Sequence, residues 1–164
     1  MELILQQGLP HQQKAIDAVC DALEGVTITP PVQFYENPQI DLEDRRLAAN
    51  LHDLQKAVPA EYRSSAPIGT CLNLDIKMET GTGKTYVYTK TIYELHKRYG
   101  INKFIIAVPS LAIKSGTAQF MQDEYARRHF TDGCGYGTAI ELGILEAPKN
   151  KKRGRSYFPS VVSD

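Results

Sequence analysis

Residues 78–85 read METGTGKT, from Met78 to Thr85. The phosphate-binding loop pattern is G-x-x-x-x-G-K-[ST] between a strand and a helix, and Gly83, Lys84 and Thr85 satisfy its second half. Met78 stands where the pattern places its first glycine. That position lies at the strand end, away from the tightest phosphate contact, and Gly81 supplies freedom inside the loop. Gly81 and Gly83 let backbone N–H groups turn inward in conformations that a β-carbon hinders. The helix that follows aims its N-terminal amides and dipole at the same anion. Lys84 is suited to the β- and γ-phosphates, and the Thr85 hydroxyl to Mg²⁺.

The flanking sequence supplies that context. In CLNLDIKM (Cys71–Met78), Leu72, Leu74, Ile76 and Met78 alternate with Asn73, Asp75 and Lys77, which predicts a strand. Its polar face is unusual for a central parallel strand, which normally reads as one apolar run. Downstream, Tyr88, Ile92, Leu95 and Tyr99 form a helical stripe that stops at Gly100. KFIIAV (Lys103–Val108), bounded by Pro109, predicts a second strand. Together they make a βαβ unit with a right-handed crossover. Upstream, a helix is predicted from Pro10 to near Gly25, with Ile16, Val19, Cys20 and Leu23 on one face. TPPVQFYENPQ is turn-rich, and a second helix capped by Asp41 carries Leu47, Leu51, Leu54 and Val58 up to Pro59. The segment from Glu61 to Gly69 reads as a loop. GTAQFMQDEYARRHF (Gly116–Phe130) predicts a helix and AIELGIL (Ala139–Leu145) a strand. The fold class is α/β, a mostly parallel sheet flanked by helices.

Composition sets outer bounds. The chain has 164 residues, 42% of them hydrophobic and 23% charged, an ordinary globular mix with enough length for a core. Nineteen basic residues balance 19 acidic ones, so any polyanion-binding surface is local. No apolar run approaches a membrane span, and the N-terminal residues lack the features of a signal peptide. Cys20, Cys71 and Cys134 are odd in number and free of C-x-x-C spacing, which suits reduced thiols and a cytoplasmic location.

With a non-glycine residue opening the loop, TGTGKT resembles motif I of superfamily 2 helicases and translocases. LPHQQKAI resembles their glutamine motif, with Gln12 as its glutamine and His11 where such motors often carry an aromatic residue. A glutamine amide offers an acceptor and two donors, enough to pair with N6 and N7 of adenine. FIIAVPSLAIKSG is similar to motif Ia and puts Pro109 and Ser110 at the end of a strand, where a hydroxyl and free amides suit DNA phosphates. Lys84 follows Gln12 by 72 positions, longer than in compact motors. With FYENPQIDLEDRRLAANLHDLQKAV between the two, the stretch from Leu9 to about Gly116 looks like the restriction subunit of type III restriction–modification enzymes. That resemblance implies a RecA-like phosphate-loop NTPase lobe that uses ATP and Mg²⁺. It further implies a motor acting on double-stranded DNA, with an endonuclease domain and a modification methyltransferase subunit as partner. Thr80, Gly81, Thr82, Gly83, Lys84 and Thr85 would hold the phosphates and Mg²⁺, Gln12 the adenine, and Pro109 and Ser110 the DNA.

On this reading residues 1–25 are the glutamine-motif helix, 26–70 an insert, 71–116 the phosphate-loop unit and 117–164 part of the remaining lobe. The later Asp–Glu pair that such motors need, holding Mg²⁺ and the attacking water, has one adjacent candidate, Asp123–Glu124, and its surroundings follow a helical period. The expectation is therefore an N-terminal fragment of a larger protein without DNA-stimulated ATPase activity of its own. Lys149, Lys151, Lys152, Arg153 and Arg155 read as a solvated loop rather than a DNA contact. Two rival readings are a small phosphotransferase of the nucleotide-kinase type and a non-catalytic DNA-binding module that keeps the loop as scaffold.

Overall fold

The computed structural model describes residues 5–63 and 69–145. They divide into two units, one spanning Gln6–Ala107 and the other running from Val108 onward with the extreme N-terminus.

The first unit is built on two helices. In α1 (Pro10–Asp21) the missing N–H of Pro10 falls where a helix has no partner for it. Its buried face is Gln12, Ala15, Ile16 and Cys20, which packs on α3 (Lys84–Tyr99). Ala15, Ile16, Cys20 and Val87 form a cluster joined by Met78, Leu95 and Tyr99. A second cluster of Leu23, Val26 and Leu47 is joined by Leu51, Leu72, Ile101 and the same Leu95 and Tyr99. Side chains such as Ile16 and Leu47, both fully buried, each contribute roughly 1.5–3 kcal/mol by leaving water. The predicted stripe Tyr88–Ile92–Leu95–Tyr99 is half-buried, whereas Tyr86, Val87, Thr89 and Tyr93 are buried more deeply. α3 is therefore covered on more than the one face expected. It ends at Gly100, whose φ of 69° is the left-handed conformation of a helix stop.

Between these helices, β1 (Ile28–Thr29) and β2 (Gln39–Ile40) pair antiparallel, with Ile28 opposite Ile40. α2 (Arg45–Lys56) is capped by Asp44 and not by Asp41 as predicted. Asp44 accepts from Arg46 N and from both the N–H and hydroxyl of Thr27, each at 2.8 Å. Those hydrogen bonds, led by the one from Arg46, hold its carboxyl below the ordinary value. Asp41 instead accepts from Glu43 N, closing the turn ahead of the helix.

The sheet differs from expectation. Among the described residues the ordered strands are the antiparallel pair β1–β2, and neither 71–78 nor 103–108 joins a ladder. The βαβ unit and parallel sheet predicted from them are thus not seen among the described residues. Burial still alternates as it does along an extended chain: Leu72 and Leu74 are half-buried between exposed neighbours, as are Phe104 and Ile106 around an exposed Ile105. The cause is physical, because a helix satisfies its backbone from within whereas a strand needs a neighbour's. In place of a ladder, Asn37 accepts from Asn102 N and Lys103 N at 2.9 and 2.8 Å and donates to Lys103 O at 2.7 Å.

In the second unit, α4 (Leu111–Gln122) is followed by a short α5 (Glu124–Arg128) and one turn of π-helix, His129–Gly133. The single helix predicted over 116–130 is broken at Asp123, whose extended backbone lets its carboxylate accept from Ala126 N at 2.9 Å. Asp123 is thus a helix cap, and Glu124 pairs with Arg128 one turn on. Met121, Ala126 and Phe130 are buried, with Phe120 edge-on to Phe130 at 6.3 Å. Residues 139–145, predicted as a strand, form no ladder with other described residues. The basic cluster at 149–155 lies outside the described residues.

Candidate functional site

The turn from Met78 into α3 is shaped by two glycines in the left-handed region, Gly81 at φ 83° and Gly83 at φ 86°. Gly83 is the N-cap of α3, and its carbonyl accepts from Val87 N at 3.0 Å. Lys84 and Thr85 therefore lie on the first helical turn, at the positive end of the dipole. That turn carries no acidic side chain, while His96, Lys97 and Arg98 sit at the opposite, negative end. Met78, the residue that departs from the pattern, packs against Ala15, Ile16, Cys20 and Val87. An apolar side chain there anchors the entry of the loop to the core, which a glycine would not do.

Within the turn, Thr82 Oγ1 donates to Glu79 O at 2.7 Å. The Lys84 ammonium donates to Met78 O at 2.8 Å and to Glu79 O, so it folds back over the mouth of its own loop. Lys84 and Thr80 are exposed, and Thr85 is half-buried.

α1 reaches the loop from below. Gln12 is 7% exposed, and its Nε2 donates to Thr82 O at 3.0 Å. His11, which is exposed, places Nε2 3.2 Å from the same carbonyl, close enough to donate in the tautomer protonated there. Gln12 Oε1 is buried with no hydrogen-bond partner. A β-carbon on Gly83 would run into the Gln12 amide. These features fit a nucleotide: two glycines open the cradle, a lysine and a threonine head the helix, and an orphaned amide oxygen lies beside them.

The structure thus gathers Gln12, Thr80, Gly81, Thr82, Gly83, Lys84 and Thr85 around one turn. Pro109 and Ser110 belong to the other unit, where Ser110 Oγ accepts from Ile113 N at 3.3 Å and caps α4. No sequence signal marks Thr82 O as shared by His11 and Gln12, or Met78 as the anchor of the loop. The long gap between glutamine motif and loop hides the first, and alternation alone hides the second.

Deep in the α1–α3 contact, burial pushes the Cys20 thiol up to about 11, partly offset by the nearby Arg98 guanidinium. Burial raises the Tyr99 phenol as well, and its hydroxyl donates to Cys20 O at 2.7 Å. Among the described residues no group of three or more His, Cys, Asp or Glu is arranged to hold a metal ion, and no helix is long and apolar enough to cross a membrane.

Comparison with known proteins bears on the whole chain. A family model described as "Type III restriction enzyme, res subunit" matches residues 6–152. The Res subunit of the EcoPI type III restriction-modification enzyme of Escherichia phage P1 is 36% identical over 164 residues, covering 97% of this chain and 17% of the relative. The EcoP15I Res subunit of Escherichia coli is 36% identical over 167 residues, covering 98% of this chain and 17% of the relative. The StyLTI Res subunit of Salmonella typhimurium is 37% identical over 160 residues, covering 97% of this chain and 14% of the relative. The chain thus spans 14–17% of the length of these relatives.

Proposed function

The chain belongs to the family of type III restriction enzyme Res subunits, with the RecA-like helicase fold that the family implies, and we propose that it forms the ATP-binding part of an ATP-dependent DNA translocase. The observation that carries the proposal is the turn at the head of α3. Gly81 and Gly83 hold it in left-handed backbone, and Lys84 and Thr85 follow at the positive helix end. Bound ATP would supply the free energy of phosphoryl transfer to the motor.

Thr80, Gly81, Thr82 and Gly83 cradle the phosphates with backbone N–H groups, in the manner of an anion nest. Lys84 exchanges its two carbonyl acceptors for β- and γ-phosphate oxygens, a stronger charge-assisted contact. Thr85 offers its hydroxyl to Mg²⁺. Gln12 Oε1, buried and unpartnered, accepts from adenine N6, and the second hydrogen of Nε2 is left for N7. Pro109 and Ser110 meet DNA phosphates, with the cap hydroxyl of Ser110 accepting from the helix while it donates outward. In the whole protein the lobe belongs to the mostly parallel sheet of a RecA-like domain. It works with a modification methyltransferase subunit on double-stranded DNA, driving cleavage.

The test is DNA-stimulated ATP hydrolysis by the parent Res subunit in its complex. Lys84→Ala should abolish turnover and cleavage together, because catalysis here is positioning plus charge stabilisation. The 164-residue chain by itself should show no such turnover. Undiminished hydrolysis by the Lys84→Ala parent would refute the proposal.

A further inference from the structure

Two side chains from the first turn of α1 converge on one carbonyl of the loop, some 70 residues downstream, and this is a costly arrangement. Gln12 is almost fully buried, and its oxygen has no partner, so its amide gains less from the protein than it loses from water. A packing role alone would be met better by an apolar side chain. Reading a base takes only one hydrogen of Nε2, so base recognition leaves the bond from the other hydrogen to Thr82 O at 3.0 Å unexplained. What the arrangement does accomplish is to fix one peptide plane.

A trans peptide is planar, with its C=O and N–H on opposite sides. The chain has no cis bond among its described residues, so drawing Thr82 O toward α1 turns the Gly83 N–H away from α1. The adjoining φ at Gly83 is 86°, a left-handed conformation open to glycine, and the Gln12 amide fills the space a β-carbon would take. Gln12 and the glycine are thus complementary: one pulls the carbonyl down, the other permits the turn. His11 adds a second donor to the same oxygen from the exposed side.

We infer that His11 and Gln12 are positioning residues of the phosphate loop, holding the Thr82–Gly83 peptide so that its N–H is preset toward the triphosphate. This rests on the phosphate-binding reading proposed above and adds to it a role that does not depend on the base. Preset donors cost no reorganisation when the anion arrives, so their loss should weaken binding of the phosphate chain itself.

Inorganic tripolyphosphate, which has no base, separates the two roles. With Mg²⁺ present, calorimetric titration of the 164-residue chain with tripolyphosphate and with ATP should show Gln12→Leu weakening both by about tenfold, the worth of one buried hydrogen bond. His11→Phe, at an exposed position where folding is not at stake, should weaken both by about threefold. In both variants the Gly83 amide resonance of the free chain should move. Should Gln12→Leu weaken ATP yet leave tripolyphosphate within about twofold of wild type, Gln12 acts on the base alone and the inference is overturned. Unchanged tripolyphosphate affinity in His11→Phe removes His11 from it. Equal tripolyphosphate binding by wild type and Lys84→Ala is a different failure, one that strikes the phosphate-loop reading itself.

Discussion

α3 and α4 both begin where an anion is welcome, yet their first turns are held by different means. The N-cap of α3 is a glycine at φ 86°, tied through Thr82 O to side chains some 70 residues earlier in the chain. The N-cap of α4 is Ser110, whose hydroxyl bonds a backbone N–H three residues ahead, and its first turn exposes Leu111 at 82%. A local cap is enough to start a helix. On the proposed reading the loop before α3 must also keep its peptides oriented for a triphosphate, and His11 and Gln12 from α1 would supply that hold. The contrast extends to burial. α3 lies over a buried apolar cluster containing Ile16 and Cys20, whereas in α4 Thr117 and Met121 are the buried positions.

The largest expected effect lies at the two glycines. Gly83→Ala forces a β-carbon into left-handed backbone and against the Gln12 amide, and should cost about 3 kcal/mol in thermal or urea unfolding along with phosphate affinity. A wild-type melting curve in that variant would break the contrast at its root. Next comes the buried α1–α3 contact, probed through pH. Because the Cys20 thiol is raised from 9.0 to about 11, the folded state keeps a proton that the unfolded chain loses. Its stabilisation is complete below pH 9.0 and is lost as pH rises toward 11, a decline of roughly 2–3 kcal/mol, and the raised Tyr99 phenol acts in the same direction. Denaturant midpoints between pH 8 and 11 measure it, with Cys20→Ser flattening the slope. Ser110→Ala should destabilise by about 1 kcal/mol, the worth of a side-chain cap, and leave ATP affinity unchanged. Smallest is Gly116→Ala in the middle of α4, where φ is ordinary and no atom lies within 4 Å of the added carbon. It should stabilise by about 0.5–1 kcal/mol, opposite in sign to Gly83→Ala, as differential scanning calorimetry would show.

The helices were legible in the sequence because their code is local. Pro10, Gly100 and the spaced apolar residues of α1 and α3 mark ends and faces without reference to anything distant. The break at Asp123 was missed because a helical period runs through it, while capping depends on one carboxylate bonding Ala126 N. Asp44 displaced Asp41 as cap for a similar reason, its second oxygen being claimed by Thr27 across the chain. The segments 71–78 and 103–108 carry the alternation of strands, but alternation specifies faces and not neighbours, so no ladder follows from it. In the candidate site, Gly81, Gly83, Lys84 and Thr85 could be read from spacing alone, and Gln12 through the resemblance. The shared carbonyl at Thr82 could not be read, since nothing in the sequence says which backbone atom a glutamine will find.

The grip on phosphate is tested most directly by following backbone amides in a two-dimensional NMR titration of the chain with Mg²⁺–ATP. Saturable shifts centred on Gly81, Gly83, Lys84 and Thr85 are expected, weakened at least tenfold in Lys84→Ala, the scale of a lost charged contact. Shifts centred instead on the Ser110 end of α4, or identical curves for wild type and Lys84→Ala, would contradict it.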